Sequence, residues 1–328
     1  MSDDTDRGTS ADAVATDAVE QTQPPNVSEF QTGAAGDLQG WISVPRPSEP
    51  SPLRMVVVAV HGLGDHSGHF RNLAARLAIQ GIAVAAFDQQ GHGHSPGKRG
   101  RVKSYDSLLE DLHAFRRDVA SRVSANQVLI GHSMGGNIVT NYVLRRHEID
   151  PTIQPDLMGA VLVAPMLLPP QKVTRPQIFA AWLTGFIIPW IRVHKKAAVT
   201  KLTAEPEHIR RIQNDGLRHS KLSVYLATQL LSQGRAAIDR GREFDVPSLW
   251  MVGERDEMID RDAIDNMTVR IGRSATLVKY PDGRHDLLHD VDQQRIEQRI
   301  AVWLDQLPVD SDGVVGAIGP AVSESKTA

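Results

Sequence analysis

Short apolar runs alternate with longer amphipathic stretches through the middle of the chain. The first run, Met55–Val60, is continuous and rich in Val, and a glycine turn follows it. Later runs have the same character, namely Ile82–Phe87, Gln127–Ile130, Ala160–Ala164, Ser248–Val252 and Thr276–Tyr280. Helical stretches lie between them, including Phe70–Gln80, Leu108–Val123 and Asn137–Arg146. Continuous apolar strands separated by helices predict an α/β fold with a mostly parallel central sheet and helices on both faces.

Two segments depart from this alternation. Trp41–Val44 and the Gly-rich stretch before it predict an antiparallel hairpin at the edge of the sheet. Between Pro165 and about Phe244 the chain has apolar and basic helical stretches but no clear strand. We predict that this segment is an inserted helical cap over the C-terminal ends of the strands, where open α/β sheets place their active sites.

The domain organisation follows from these patterns. Residues 28–165 and 245–308 are predicted to form the two parts of the α/β core, and residues 166–244 the cap. Residues 1–27 are rich in Ala, Asp, Thr, Gln and Pro, and residues 309–328 have a similar polar character. Neither end shows a sustained apolar period, so both are predicted to be disordered tails.

Composition narrows the class of protein. The chain has 328 residues, 41% hydrophobic and 23% charged, as in an ordinary soluble globular protein. A formal charge of -3 gives no indication of nucleic-acid binding. The chain contains no cysteine, which excludes disulfides, a cysteine nucleophile and thiolate metal sites.

The start of the chain predicts no targeting signal. It reads Met-Ser-Asp-Asp-Thr-Asp-Arg, without the basic start and apolar run of a signal peptide. No stretch reaches 18 consecutive apolar residues, so no transmembrane helix is predicted. We expect a cytoplasmic protein, with the cap as a candidate for peripheral contact with a membrane. Nothing in the sequence specifies the oligomeric state.

A candidate nucleophile lies in the segment Gly131-His132-Ser133-Met134-Gly135. The segment fits G-x-S-x-G, and it lies directly after a predicted strand and before a predicted helix. Such a turn holds the serine in a strained conformation, and small neighbours let the backbone turn tightly. The helix N-terminus then points at the oxyanion that forms during acyl transfer. This context predicts an α/β-hydrolase fold with Ser133 as the nucleophile.

The oxyanion donors are predicted from the same topology. The segment His61–Ser67 follows the strand Met55–Val60, and one donor in this fold is a backbone N–H in that loop. The other is the residue after the nucleophile. These positions nominate the N–H groups of Leu63 and Met134. His61, His66 and His69 do not show zincin spacing or a carboxylate cluster, so we predict no metal and no cofactor.

The acid of a catalytic triad should follow a late strand, because the chain order in this fold is Ser, acid, His. Ser248–Val252 is followed by Gly-Glu-Arg-Asp-Glu-Met-Ile-Asp. Asp256 is the preferred acid because it lies in the first turn after the strand. Glu254, Glu257 and Asp260 are competitors, and Asp260 is better suited to capping the next helix.

The histidine should follow the last strand, Thr276–Tyr280. His285 is preferred there, with His289 one helical turn later as the alternative. In this assignment His285 accepts the proton of Ser133 and later gives it to the leaving group. Asp256 fixes the imidazole tautomer and stabilises the imidazolium.

The chain resembles the monoacylglycerol lipase and lysophospholipase branch of the α/β-hydrolases. The matching segments run in the family's order and cover about residues 55–305, namely His61–Ser67, Phe87–Gly97, Gly131–Gly136, Ala164-Pro165, Asn214-Asp215, Gly253–Asp256 and His285. One segment departs from the family's pattern, because Gly216 stands where the family has proline. That departure lies in the cap and bears on substrate geometry.

The resemblance implies hydrolysis of an ester between a small polyol and one acyl chain. It also supports Leu63 and Met134 as oxyanion donors. Lysophospholipase, general carboxylesterase, thioesterase and aminopeptidase activities remain alternatives, because the same triad serves all of them. A non-catalytic lipid-binding protein is the remaining alternative, and a complete set of Ser, Asp and His disfavours it.

The cap offers candidate substrate contacts. Ile178–Ile191 is apolar on nearly all sides and basic residues follow it, which suits an acyl-chain tunnel or a face against lipid. Packing on the cap's own core is the equal alternative. The candidate substrate residues are Phe179, Trp182, Leu183, Phe186 and Ile187. Residues Asp88, His92 and His94 are predicted to have a structural role.

Overall fold

The computed structural model describes residues 26–46, 52–152, 157–170, 192–194 (backbone only) and 198–307. The predicted tails lie outside the described residues, except that the first strand begins at Asn26. The core therefore starts two residues before the predicted boundary. The candidate substrate residues of Ile178–Ile191 also lie outside the described part of the chain.

An eight-stranded sheet forms the centre of the molecule, in the order β1-β2-β4-β3-β5-β6-β9-β10. Its strands are β1 (Asn26–Thr32), β2 (Leu38–Val44), β3 (Met55–Val60), β4 (Ile82–Phe87), β5 (Gln127–His132), β6 (Leu157–Val163), β9 (Ser248–Gly253) and β10 (Ala275–Tyr280). The six neighbouring strands β4, β3, β5, β6, β9 and β10 are parallel to one another. At the other edge, β2 pairs antiparallel with both β1 and β4. The predicted mostly parallel sheet and the edge hairpin are confirmed.

Seven helices are described, and six of them pack on the faces of this sheet. They are α1 (Arg71–Ala78), α2 (Tyr105–Arg122), α3 (Met134–Ile149), α4 (Pro206–Asn214), α5 (Val224–Asp239), α6 (Arg261–Ile271) and α7 (Gln293–Asp305). Buried residues of α1 and α7 share one hydrophobic cluster, and those of α2, α3, α5 and α6 share the other. The helices therefore cover both faces of the sheet.

The sequence of β3 shows why both faces are covered. Successive side chains of a strand point to opposite faces. Val56, Val58 and Val60 belong to the cluster with α2 and α3, whereas Met55 and Val57 belong to the cluster with α1 and α7. A strand buried on both sides needs apolar residues at every position, which explains its continuous run.

The chain between β6 and β9 contains two short strands, β7 (Arg192–His194) and β8 (Lys221–Ser223), paired antiparallel. The expectation that this segment holds no strand was wrong in this detail, because three-residue strands are too short to show a period. Leu226 and Leu230 of α5 are buried in the core cluster. No helix among the described residues is long and apolar enough to cross a membrane.

Candidate active site

Ser133 lies at the turn between β5 and α3, at the C-terminal edge of the parallel strands. Its backbone has φ 53° and ψ -116°, a conformation that L-residues with a side chain rarely adopt. A Cβ at Gly131 would lie 2.5 Å from the carbonyl oxygen of Gly135. A Cβ at Gly135 would collide with the carbonyl oxygen of Val60. Both glycines of the motif are therefore required by the close approach of β3, β5 and α3.

The structure brings Ser133, His285 and Asp256 into one hydrogen-bonded row. Ser133 Oγ lies 2.8 Å from His285 Nε2, and His285 Nδ1 lies 2.8 Å from Asp256 Oδ2. Asp256 follows β9 and His285 follows β10, so the ends of three parallel strands supply the three side chains. With a proton on Nδ1, the ring would donate to Asp256 and present the lone pair of Nε2 to Ser133.

The surroundings of His285 favour a base. Burial lowers the pKa of its imidazole, but the carboxylates of Asp256 and Asp286 outweigh burial and hold the pKa above its ordinary value of 6.5. The other carboxylate oxygen of Asp256 accepts a hydrogen bond from the backbone N–H of Met258 at 2.7 Å. Asp256 is therefore fixed on both sides, and its orientation fixes His285.

The competing acids take other places. Asp260 is the N-cap of α6 and accepts from the backbone N–H groups of Asp262 and Ala263, which confirms the expected cap. Glu257 is exposed and pairs with Lys201 at 2.7 Å. Neither carboxylate is paired with His285 among the described contacts.

Two backbone segments adjoin Ser133, the start of α3 and the loop after β3. Met134 is the first residue of α3, and the first N–H groups of a helix have no acceptor within the helix. A Cβ at Gly62 would lie 3.2 Å from Ser133 Cβ, so the loop after β3 passes directly beside the serine. Leu63 follows in that loop. Both predicted oxyanion donors therefore belong to segments that adjoin Ser133.

His132 is the residue before the serine, and it is a buried neutral histidine. Its Nε2 lies 3.2 Å from the carbonyl oxygen of His285. Burial, with the neighbouring His69 and His285, lowers the pKa of His132 to about 3. An uncharged ring here contacts the backbone of the catalytic candidate without adding positive charge beside it.

Ion pairs that the sequence reasoning missed connect the loop after β3 to the segment after α4. Asp65 pairs with Arg218 at 2.8 Å, and His66 pairs with Asp215 at 2.8 Å. Burial raises the pKa of Asp65, but Arg218 and His69 hold it well below its ordinary range. Asp215 was visible in the sequence as part of a family motif, whereas Arg218 had no such signal.

Asp88 organises the loop after β4. Its carboxylate accepts from the backbone N–H groups of Ser67 and His94, at 2.7 and 2.8 Å. The aspartate thus joins two loops at the edge of the site. This geometry agrees with the structural role predicted for Asp88. His92 is buried, and its ring lies beside those of His61 and His219.

Two groups of side chains near the site have the composition of metal ligands. They are Asp65 with His69 and His132, and His69 with Asp286 and His289. In each group the potential ligand atoms all lie within 4.8 Å of one another. His289, the alternative triad histidine, contacts Asp286 at 3.2 Å and is not hydrogen-bonded to Ser133.

A serine on a strained strand-to-helix turn, hydrogen-bonded to a histidine and an aspartate that follow later strands of a mostly parallel sheet, defines the α/β-hydrolase class. Comparison with known families agrees with this class. The chain belongs to the Hydrolase_4 family, described as serine aminopeptidase, S33, whose model matches residues 51–292.

Known proteins place the chain among carboxylic ester hydrolases. It is 26% identical over 254 residues to a monoacylglycerol lipase from Mycolicibacterium smegmatis, covering 76% of this chain and 88% of that protein. The crystal structure of a Paleococcus ferrophilus monoacylglycerol lipase superposes with a TM-score of 0.69 at 25% identity, covering 86% of this chain and 98% of the other. An uncharacterized abhydrolase domain-containing protein from Dictyostelium discoideum is 27% identical over 250 residues, which are 76% of this chain but only 26% of that protein.

Proposed function

We propose that the protein hydrolyses carboxylic esters of single-acyl-chain lipids, most closely in the manner of a monoacylglycerol lipase. The hydrogen-bonded row from Ser133 Oγ through His285 to Asp256 carries this proposal, since both contacts measure 2.8 Å. The similarity to monoacylglycerol lipases supports the substrate class.

Ser133 is the nucleophile of the proposed reaction. His285 Nε2 takes the proton from Oγ as the oxygen attacks the ester carbonyl, and the imidazolium then gives that proton to the leaving alcohol. The acyl group remains on Ser133 until water, deprotonated by the same imidazole, releases the fatty acid. Asp256 holds the ring in the required tautomer throughout. The backbone N–H groups of Leu63 and Met134 stabilise the negative oxygen of each tetrahedral intermediate.

In this proposal residues 166–244 form the cap and determine the acyl donor. The apolar side chains of Ile178–Ile191 contact a single acyl chain, and Phe179, Trp182, Leu183, Phe186 and Ile187 are the candidate contacts. The same apolar segment, with the basic residues that follow it, is the candidate for contact with a membrane surface. The core on either side supplies all three catalytic side chains.

A substrate panel tests the proposed specificity. The kcat/KM values should be measured for p-nitrophenyl esters of graded chain length, monoacylglycerols, lysophospholipids and an aminoacyl p-nitroanilide. We expect monoacylglycerols to be hydrolysed faster than lysophospholipids of the same chain, and the anilide to remain intact. The Ser133→Ala variant, assayed in parallel, should lose activity toward every ester by on the order of 10³-fold or more.

The outcomes separate the class of reaction from the substrate. Faster turnover of lysophospholipids than of monoacylglycerols would reject the proposed headgroup and keep the esterase. Cleavage of the anilide in preference to every ester would identify an aminopeptidase. Absence of hydrolysis across the panel, by a folded protein, would reject the enzymatic proposal altogether.

A further inference from the structure

A largely buried group of side chains outside the row of Ser133, His285 and Asp256 adjoins His285. It consists of His69, His208, Asp286 and His289, called the histidine cluster below. His69 precedes α1, His208 lies on α4, and the other two follow β10. Three separate segments of the chain therefore meet at one carboxylate.

Asp286 is the centre of the histidine cluster. Its Oδ1 lies 3.2 Å from His289 Nδ1 and 3.5 Å from His69 Nε2, and its Oδ2 lies 2.9 Å from His208 Nε2. The rings of His208 and His289 are stacked with centroids 4.4 Å apart. His69, Asp286 and His289 thus present ligand atoms within 4.8 Å of one another, and His208 holds the other carboxylate oxygen of Asp286.

This donor set fits a divalent transition metal. Zn²⁺ prefers four nitrogen or oxygen ligands at roughly 2.0–2.2 Å, which places the ligand atoms of a tetrahedral site roughly 3.3–3.6 Å apart. The contacts of Asp286 with His69 and His289 are already close to that spacing, and the three ligand atoms lie within 4.8 Å of one another. Two imidazoles and one carboxylate, with water as the fourth ligand, suit Zn²⁺ but not Mg²⁺ or Ca²⁺, which select oxygen.

The hydrogen bonding of His69 is an independent indication. Its side chain is fully buried, and its Nε2 makes no hydrogen bond within the described residues. Leaving a buried polar group unsatisfied costs about 1–3 kcal/mol. Coordination of a metal by Nε2 would satisfy one nitrogen. The other, Nδ1, lies 2.9 Å from Asp65 Oδ2, as in sites where a carboxylate orients a metal-bound histidine.

Asp65 is itself held by an ion pair, because Arg218 contacts its other carboxylate oxygen at 2.8 Å. That pairing decides between the two candidate metal groups. A carboxylate already neutralised by an arginine is a poor direct ligand and a good partner for a ligand histidine. The group around Asp286 is therefore preferred to the group of Asp65, His69 and His132.

Access to the histidine cluster is provided by a cavity of about 610 Å³ that His208 and His289 line. The charged residues around it are mainly acidic, with four carboxylates and two guanidinium groups, namely Glu205, Glu207, Asp290, Asp292, Arg211 and Arg295. An excess of negative charge at the mouth attracts a divalent cation. The cavity thus connects the histidine cluster to solvent, and the negative charge of its lining suits the entry of a cation.

We propose that the histidine cluster binds a divalent transition-metal ion, with Zn²⁺ as the best match to its donors. The ion ties α4, in the segment predicted to form the cap, to the core beside His285. None of these four side chains belongs to the row of Ser133, His285 and Asp256, and Asp286 acts on that row only through its charge beside His285. Metal binding and its effect on stability are measurable without any substrate.

Calorimetric titration of the full chain, stripped of metal by chelation, with ZnCl₂ tests the site. We expect binding of one Zn²⁺ per chain, and a melting temperature that rises with free Zn²⁺ because the ion binds the folded state. Titration with Co²⁺ should give the visible absorption of a tetrahedral nitrogen and oxygen site, which hydrated Co²⁺ lacks.

Variants identify the ligands. His208→Ala and His289→Ala should each weaken Zn²⁺ binding by at least about tenfold. His147→Ala is the matched control, since this histidine is on α3, outside the cluster, with a side chain 54% exposed. If His208→Ala fails to fold, the His208→Gln variant, which keeps a hydrogen-bond donor to Asp286, is measured in its place. Failure to bind Zn²⁺, or equal binding by wild type and both cluster variants, would overturn the proposal.

Discussion

Replacement of Asp256 by Asn tests the assignment of the acid, and the structure determines which way the amide must face. Asp256 Oδ1 accepts from the N–H of Met258 at 2.7 Å, and Oδ2 accepts from His285 Nδ1 at 2.8 Å. In Asp256→Asn the amide oxygen must remain on the Met258 side, because an NH₂ group there would face another donor. The NH₂ group therefore faces His285.

An NH₂ group at that position needs an acceptor, so Nδ1 of His285 must lose its proton. The proton then resides on Nε2, 2.8 Å from Ser133 Oγ, and the imidazole cannot accept the serine proton. Loss of the correct tautomer in a triad costs about 10⁴-fold in kcat. That loss corresponds to about 5.4 kcal/mol of transition-state stabilisation.

The assay is steady-state hydrolysis of a p-nitrophenyl ester, with thermal unfolding as the check on folding. Glu257→Gln and Glu254→Gln are matched controls, since each neutralises one acid in the same turn. We expect both controls to retain wild-type kcat while Asp256→Asn loses it. A folded Asp256→Asn variant with more than a tenth of wild-type kcat, or an equal loss in Glu257→Gln, would refute the reasoning.

Other predictions concern stability around the site. Ser133→Gly should be inactive yet more stable than Ser133→Ala by about 1–3 kcal/mol in urea unfolding, because glycine adopts φ 53° without strain. Equal stabilities of the two variants would show that the turn at residue 133 is not strained. Gly135→Ala should lose about 1–3 kcal/mol of stability and about 10²-fold in kcat, because its Cβ collides with Val60. Gly216→Ala, with open space around it, should leave the stability unchanged. Burial raises the pKa of Asp88, but the N–H donors of two loops outweigh burial and hold the pKa below its ordinary value of 3.8. The Asp88 carboxylate therefore stabilises the fold above pH 3.8, and this stabilisation is lost as the pH falls through the folded-state pKa. Urea unfolding of wild type and Asp88→Asn should therefore differ most at neutral pH and converge under acid; a difference independent of pH would contradict this sign.

The strands of the core could be predicted because burial on two faces leaves a continuous apolar run. The structure places β3 at Met55–Val60 and β4 at Ile82–Phe87, with the same bounds that the sequence predicts. The strands β7 and β8 could not be predicted, because their three-residue pairing has no period. Their existence depends on contact between segments that are distant in the sequence.

The candidate triad could be predicted for a topological reason. Each member follows the carboxyl end of a parallel strand, and those ends meet at one edge of the sheet. The structure brings Ser133, Asp256 and His285 together there, and their chemical roles stay predictions.

The histidine cluster had no comparable signal in the sequence. His69 comes early in the folded chain, whereas His289 comes near its end. Their approach depends on how α1, α4 and the loop after β10 pack together. A zinc site is usually recognised in a sequence by metal-ligand spacing within one element, and the histidine cluster has no such spacing.

Active-site labelling tests the central claim most directly. The full chain should be treated with a fluorophosphonate, digested and analysed by mass spectrometry, alongside Ser133→Ala. We predict one adduct per chain, located on Ser133, with ester hydrolysis falling in proportion to labelling and no adduct on the variant. An adduct on another residue, or a Ser133→Ala variant that hydrolyses esters at the wild-type rate, would contradict the assignment of Ser133 as the nucleophile.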